Sequence, residues 1–467
     1  MKLCNSHRVL NAFALLALGV FELGIVEADT IRVPLDQPSI QDAINSAVNG
    51  DNVLVAPGTY NENINFSGKA IAVASEQGPK ITIINGISGS VVTFDSGEGA
   101  SSRLKGFTVQ NGSASFGGGI GIWSSSPTIE NNIITDNGGD GGSGAIWINA
   151  ASPIIKNNLI QNNTAAGSGF LITAGIAMVN ESSPLIENNI IINNLRGAGI
   201  VVMPSGLGAP QIVNNVISNN IGGGIKTAFS GDVTVTIKNN IITNNPGGAG
   251  IYTDFGTIPV VSFCNVWNNE AGNYGGILPD LTGTDGNISI NPLFVDMAND
   301  DFHLMPSSPA IDAGTNEGAP PQDFDGNPRP EDGDGDGLAI VDMGAFEFAL
   351  AIYDTIFADG FESPDPLLTC PCWNTYTEAE LVVAINAQPP VELICQDETW
   401  EATMILDVAG FNPRLIAFAA PEEPEEPPFC EFEVGESGLV VHFLDTAMTS
   451  QCKQELSRLI PIIPGCL

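Results

Sequence analysis

The strongest constraint on this chain is a repeated segment. Pro127-Thr-Ile-Glu-Asn-Asn132, Pro153-Ile-Ile-Lys-Asn-Asn158, Pro184-Leu-Ile-Glu-Asn-Asn189 and Pro210-Gln-Ile-Val-Asn-Asn215 share one pattern, and degenerate copies follow at Val235-Thr-Ile-Lys-Asn-Asn240 and Val261-Ser-Phe-Cys-Asn265. The prolines step by 26, 31 and 26 residues. Most copies lead through a further Asn-rich turn to a glycine cluster and a second apolar strand, such as Gly144-Ala-Ile-Trp-Ile148 or Ala249-Gly-Ile-Tyr252. A unit of about 25 residues built from short strands and Gly/Asn turns is too short for a propeller blade. Its β-branched strands are equally unsuited to helical repeats. Such units bury their apolar faces by coiling, each strand stacking about 4.8 Å from its counterpart in the next turn, so the sheets run parallel. The expected fold is all-β, a parallel β-helix over residues 29–290, with the 31-residue step carrying a loop insertion around Ala165–Thr173.

The paired asparagines suit that geometry. An Asn recurring at one corner stacks its amide on those above and below, so Asn132, Asn158, Asn189 and Asn215 are expected in one file. An unpaired buried amide costs roughly 2 kcal/mol or more, whereas a complete ladder satisfies each one. The residue before each pair gives a second column, Glu130, Lys156, Glu187, Val213, Lys238 and Cys264, read as a solvent-facing ion-pair ladder with Cys264 a free thiol or bonded to the tail. Upstream, Ser39 followed by apolar residues at helical spacing, with Asp42 three positions on, predicts a short amphipathic helix covering the open end of the coil.

The first 28 residues read as an export signal: Lys2, His7 and Arg8 precede the apolar run Ala12–Leu18, and Val26-Glu27-Ala28 offers small residues at a cleavage site. Glu22 interrupts the run well short of a membrane span. A secreted, periplasmic or cell-surface location is expected. With 15 Lys and Arg against 53 Asp and Glu, the formal net charge of −38 argues against nucleic acid and anionic membrane as partners.

Ile40-Gln-Asp-Ala-Ile44 and Gly50-Asp-Asn-Val-Leu-Val-Ala-Pro-Gly-Thr-Tyr60 resemble the cap and first rung of secreted bacterial right-handed parallel β-helix proteins of the pectate-lyase-like superfamily. Asn291-Pro-Leu-Phe-Val-Asp296, Ser308-Pro-Ala-Ile-Asp-Ala-Gly314 and Asp342-Met-Gly-Ala-Phe-Glu347 resemble the segment that closes many such solenoids. The resemblance spans roughly residues 30–348 and implies fold and export; the superfamily holds lyases, hydrolases, epimerases, adhesins and proteins without catalysis, so it implies no single activity. The Gly-His-Gly of polygalacturonases is missing: His7, His303 and His442 all lie in other contexts, and Arg103-Leu104-Lys105 is a chance match to their Arg-x-Lys. A lyase needs calcium and a basic residue to remove the proton α to a uronate carboxylate, for which Lys226 is the weak candidate.

Strand alternation gives the binding candidates. With Ile225 and Ile251 inward, Lys226, Tyr252 and Asp254 point outward, and Trp123 and Trp147 share their face with Val201 and Met203 between. An exposed aromatic strip stacks on sugar rings; the competing reading is that an insertion loop or the tail covers it. Three readings follow: a non-catalytic binder of extracellular or cell-surface polysaccharide, a calcium-dependent polysaccharide lyase, and a structural or adhesive surface protein.

The metal signal is Asp323-Phe-Asp325-Gly-Asn327 with Asp332-Gly-Asp334-Gly-Asp336-Gly337 and Asp342, where alternating Asp and Gly curls carboxylates toward one hard cation. Structural Ca2+ is expected there, beyond the last rung. Residues 291–348 thus form an acidic closing segment, 349–369 a linker, and 370–467 a small α+β domain. In that domain Cys370, Cys372, Cys395, Cys430, Cys452 and Cys466 suggest up to three disulfides, with zinc the alternative.

Overall fold

The computed structural model describes residues 28–166, 173–229 and 233–349, and the strands 391–395, 398–402, 416–417, 430–435 and 438–443, these last five as backbone alone. The chain forms two compact units, Met1–Leu350 and Ala351–Leu467.

Three parallel sheets run the length of the first unit, and each turn of chain adds one short strand to each. Sheet A has ten strands, from Thr30–Val33 to Val260–Ser262; sheet B has nine, from Gly58–Asn61 to Asn265–Trp267; sheet C runs from Ile64–Asn65 to Tyr274–Gly276. Strands this short close no core of their own. The coil does it by stacking like on like: Leu104, Ile129, Ile155, Ile186, Ile212 and Ile237 form one buried file in sheet A, and Ile120, Ile146, Ile176, Ile200, Ile225 and Ile251 another in sheet C. Ile225 and Ile251 point inward as alternation requires.

The two asparagines of each pair do different work. The first turns the corner: Asn131, Asn157, Asn188, Asn214 and Asn239 all have φ between 53° and 57°, a left-handed conformation Asn tolerates. The second builds the ladder. Asn158 Nδ2 donates to Asn189 Oδ1 at 3.0 Å, Asn189 to Asn215 at 3.0 Å, and Asn215 to Asn240 at 3.0 Å, while each Oδ1 also accepts a backbone N–H from the rung before. A second ladder, not foreseen, runs along the next corner through Asn137, Asn163, Asn194, Asn220, Asn245 and Asn269.

Cys264 belongs to the first ladder and not to the charge column. Val261 pairs with Ile237 and Ser262 with Lys238, so the column runs Lys105, Glu130, Lys156, Glu187, Val213, Lys238, Ser262. Phe263 takes the left-handed corner at φ 51°, and Cys264 fills the asparagine's place. Its buried Sγ donates toward Ser262 O at 3.4 Å and Ile237 O at 3.6 Å, the carbonyl positions an amide uses on other rungs. Burial pushes the thiol up to about 12. Nor does the column simply face solvent. Glu130 is only 7% exposed, with Lys156 Nζ at 3.6 Å and Arg103 Nε at 3.9 Å.

The helix Ile40–Ser46 caps the first rung with Ile40, Ala43 and Ile44 buried. Ser39 Oγ accepts the Asp42 N–H, and the Glu62 carboxylate accepts those of Ile40 and Gln41, so three orphan donors are met. At the other end Lys69 Nζ donates to Ile44 O, Asn45 O and Ala47 O.

The closing segment runs back along the solenoid rather than past its last rung. Phe294, Phe302, Leu304, Ile311, Met343 and Phe346 pack on Ile190, Ile192, Val216 and Ile241, outward residues of sheet B. Corner asparagines tie it down: Asn188 Nδ2 donates to Gln322 O at 2.6 Å, Asn214 to Asp342 O at 3.0 Å, and Asn239 to Thr315 O at 2.9 Å. Beneath lies a buried ion pair, Arg329 Nε 2.8 Å from Glu347 Oε2.

In the second unit, Val391–Cys395 pairs antiparallel with Glu398–Ala402, and Cys430–Gly435 with Ile416–Ala417 and Gly438–Phe443. The export signal and Cys370, Cys372, Cys452 and Cys466 lie outside the described residues; the side chains of Cys395 and Cys430 do too.

Candidate functional site

The outer face of sheet C is the candidate. Register places Gly121, Trp147, Ala177, Val201, Lys226, Tyr252 and Gly275 in one outward file, and Trp123, Asn149, Val179 and Met203 in a parallel file two residues further along each strand. The five aromatic, basic and acidic residues expected there do share this face, but not equally.

Trp147 is buried, at 5% exposure, which removes it from the expected strip. The chain between sheets B and C widens on three successive rungs into a side layer, Ser113–Phe116, Gly138–Ser143 and Thr164–Ala165, paired in parallel. Phe116 from that layer packs on the indole with ring centroids 4.5 Å apart. Gly142 permits the approach: a Cβ there would stand 3.1 Å from Phe116 and 3.2 Å from Trp147. Nothing local in Gly144-Ala-Ile-Trp-Ile148 signals this cover; the contact is made across some thirty residues of sequence.

Trp123, Lys226 and Tyr252 are half-buried and Asp254 is exposed. Two of these rings sit over glycine. A Cβ on Gly121 would come within 2.2 Å of the Trp123 benzo ring, so that ring occupies the space a side chain would take. Tyr252 lies over Gly275 and Gly276, whose Cβ atoms would reach its ring at 3.0 and 3.2 Å. Its hydroxyl stands 3.5 Å from Asp254 Oδ1. A register shift between Thr227 and Phe229 bulges the strand at Asp254–Phe255, leaving Phe255 52% exposed, a residue that alternation alone does not place. Between the rings, Asn180 Nδ2 donates to Asn149 Oδ1 at 2.6 Å. Burial lowers the Lys226 pKa, because the low-dielectric surroundings disfavour the ammonium.

The six aspartates of the expected metal loop do not converge. Asp323 is buried and accepts the N–H groups of Asp325, Asn327 and Glu347, which makes it the hinge of a turn. Asp342 accepts those of Asp312 and Phe348, and burial with Glu347 nearby pushes its carboxyl up to about 8. Asp325 binds His303 Nε2 at 2.8 Å, while Asp301 holds Nδ1 at 2.6 Å. Asp336 accepts the Leu338 N–H. Only Asp332 and Asp334 come together, and with Asp312, absent from the expected set; one carboxylate oxygen of each lies within 4.8 Å of the others. This cluster lies in the closing segment, not on sheet C.

The family described as right handed beta helix region matches residues 59–236. No curated protein matches the chain. Among solved structures, the pectate lyase Pel9A is 17% identical, with 70% of this chain and 98% of that one covered and a TM-score of 0.34. The pectin methylesterase PemA from Erwinia chrysanthemi is 12% identical, with 60% and 98% covered and a TM-score of 0.29. A pectin methylesterase in complex with a hexasaccharide is 11% identical, with 60% and 98% covered and a TM-score of 0.30.

Proposed function

Because the chain is a right-handed parallel β-helix protein, we propose that it is exported and binds an extended polysaccharide, free or on a cell surface, along sheet C without turning it over. The observation that carries this reading is the pair of glycine-seated rings, Trp123 over Gly121 and Tyr252 over Gly275 and Gly276. They stand on one face five strands apart, about 24 Å at the parallel-sheet spacing. A ring held against a sheet offers a flat apolar face to the C–H side of a sugar, and the half-exposed Asn149, Val179, Met203 and Lys226 fill the interval. The leader-like first 28 residues support export. Retention of the full chain on immobilised glycans, lost in Trp123→Ala and Tyr252→Ala while the folded signal is kept, is the expected result; retention unchanged in both would reject this face.

One observation favours a second reading. Lys226 is partly desolvated and its pKa is lowered, the condition for a base in a lyase. Incubation with polyuronate and calcium should leave the ultraviolet absorbance flat; unsaturated product that disappears in Lys226→Ala would install the lyase in place of the binder. Calcium enters the proposal as a structural ion at Asp312, Asp332 and Asp334. A melting temperature identical in calcium and in chelator would remove it.

A further inference from the structure

We infer that the polymer held on sheet C is an uncharged, hydroxyl-rich glycan rather than a uronate or sulfated one, an inference that rests on the reading of this face as glycan-binding. The charges around the strip are the basis. Among the described residues Lys226 is the cation on the face, and Arg196 stands exposed at the margin where the strands begin. Exposed carboxylates outnumber them: Asp95 just past Val92–Phe94, Glu181 just past Thr173–Asn180, Asp254 beside Tyr252, and Glu270 opposite, its Oε2 taking the Gly247 N–H at 2.6 Å. Several other cations among the described residues lie elsewhere. Lys105, Lys156 and Lys238 line sheet A, and Lys69 Nζ is spent on the end of the first helix.

A polyuronate carries one carboxylate per sugar and, laid across the five strand intervals, would meet more fixed negative charge than positive, inside the field of a molecule at −38. Calcium could bridge like charges, but among the described residues the cluster of three carboxylates within ligand reach is Asp312, Asp332 and Asp334, away from sheet C. Apart from Lys226, the groups that fill the interval between the rings are neutral: the Asn149–Asn180 amide pair, Val179 and Met203. Amides and glycine-seated rings recognise hydroxyls and C–H faces, and need no counter-charge.

Affinity electrophoresis of the full chain through gels holding a neutral glucan, a galactomannan or polygalacturonate tests this, with and without calcium, between about 0.05 and about 0.5 M salt. A neutral polymer should retard the protein equally at both salt concentrations, with about tenfold weaker retardation in Tyr252→Ala, and polygalacturonate should not retard it. Retardation by polygalacturonate alone, or retardation that salt abolishes, would overturn the charge assignment and leave the face a glycan site. No retardation in any gel would overturn the binding reading itself.

Discussion

Asn157 and Asn158 are adjacent and chemically identical, yet their replacement should differ by several kcal/mol. Asn158 is fully buried, and its Oδ1 accepts the Asn132 N–H at 3.0 Å and Asn132 Nδ2 at 3.1 Å. Its own two amide hydrogens are shared among Ile129 O, Lys156 O and Asn189 Oδ1, at 2.9, 2.9 and 3.0 Å. Alanine removes four bonds, at about 1 kcal/mol each, and strands the Asn132 N–H in the interior at roughly 1–3 kcal/mol in place of its share. Asn158→Ala should therefore cost about 4–6 kcal/mol. At Asn157 the side chain contributes little. Its Oδ1 is buried without a partner, and its φ of 54° is one glycine adopts freely. Asn157→Gly should change stability by no more than about 0.5 kcal/mol. Denaturant titration followed by tryptophan fluorescence gives both numbers, and hydrogen exchange at the Asn132 amide reports the stranded donor directly. A loss under about 1 kcal/mol in Asn158→Ala, or equal losses in the two variants, would refute the division of labour within the pair.

Cys264→Asn should raise stability by about 1 kcal/mol, read as a higher denaturant midpoint, because Asn240 Nδ2, which donates to Ile212 O and Lys238 O, meets a sulfur at 3.9 Å where the other rungs offer an amide oxygen, and Asn287 Oδ1, which already accepts the Cys264 N–H at 3.0 Å, would continue the ladder on the far side. His303 is held by Asp325 and Asp301 with its pKa raised to about 9, against 6.5 unfolded, so its contribution is complete below pH 6.5 and fades as pH climbs to about 9. Since the ring is half-exposed, the discounted effect is about 1 kcal/mol; His303→Gln should melt lower than the parent at pH 6 and match it near pH 10. Phe116→Ala should uncover Trp147, seen as a red shift and stronger iodide quenching of its emission, at a cost of about 1 kcal/mol since Phe116 is already 39% exposed. An unshifted spectrum would mean that other groups cover the indole.

The repeat made the solenoid legible because its cause is local: a strand of three or four residues, a left-handed Asn, an inward Asn, and the same again. The inward files and the ladder of Asn132, Asn158, Asn189 and Asn215 follow from strand alternation plus that period. Cys264 lies two positions from where the degenerate copy, counted from Val261, puts it, because Phe263 carries no sequence mark of a left-handed corner.

The candidate site was half visible. Alternation put Trp123, Trp147, Lys226, Tyr252 and Asp254 on one face, but exposure on that face depends on what else lies over it. The aspartates show the same limit. A run of Asp and Gly states how many carboxylates are available, whereas Asp312, distant in sequence, completed the cluster, and Asp323 and Asp342 were drawn inside to hold turns. Sequence by itself determined the coil, its period and which side of each strand faces in, because these are set by covalent geometry and nearest-rung contacts. Tertiary structure alone decided that Phe116 covers Trp147 and that residues 291–348 fold back over sheet B, because lateral cover is a contact between segments whose separation along the chain carries no periodic mark.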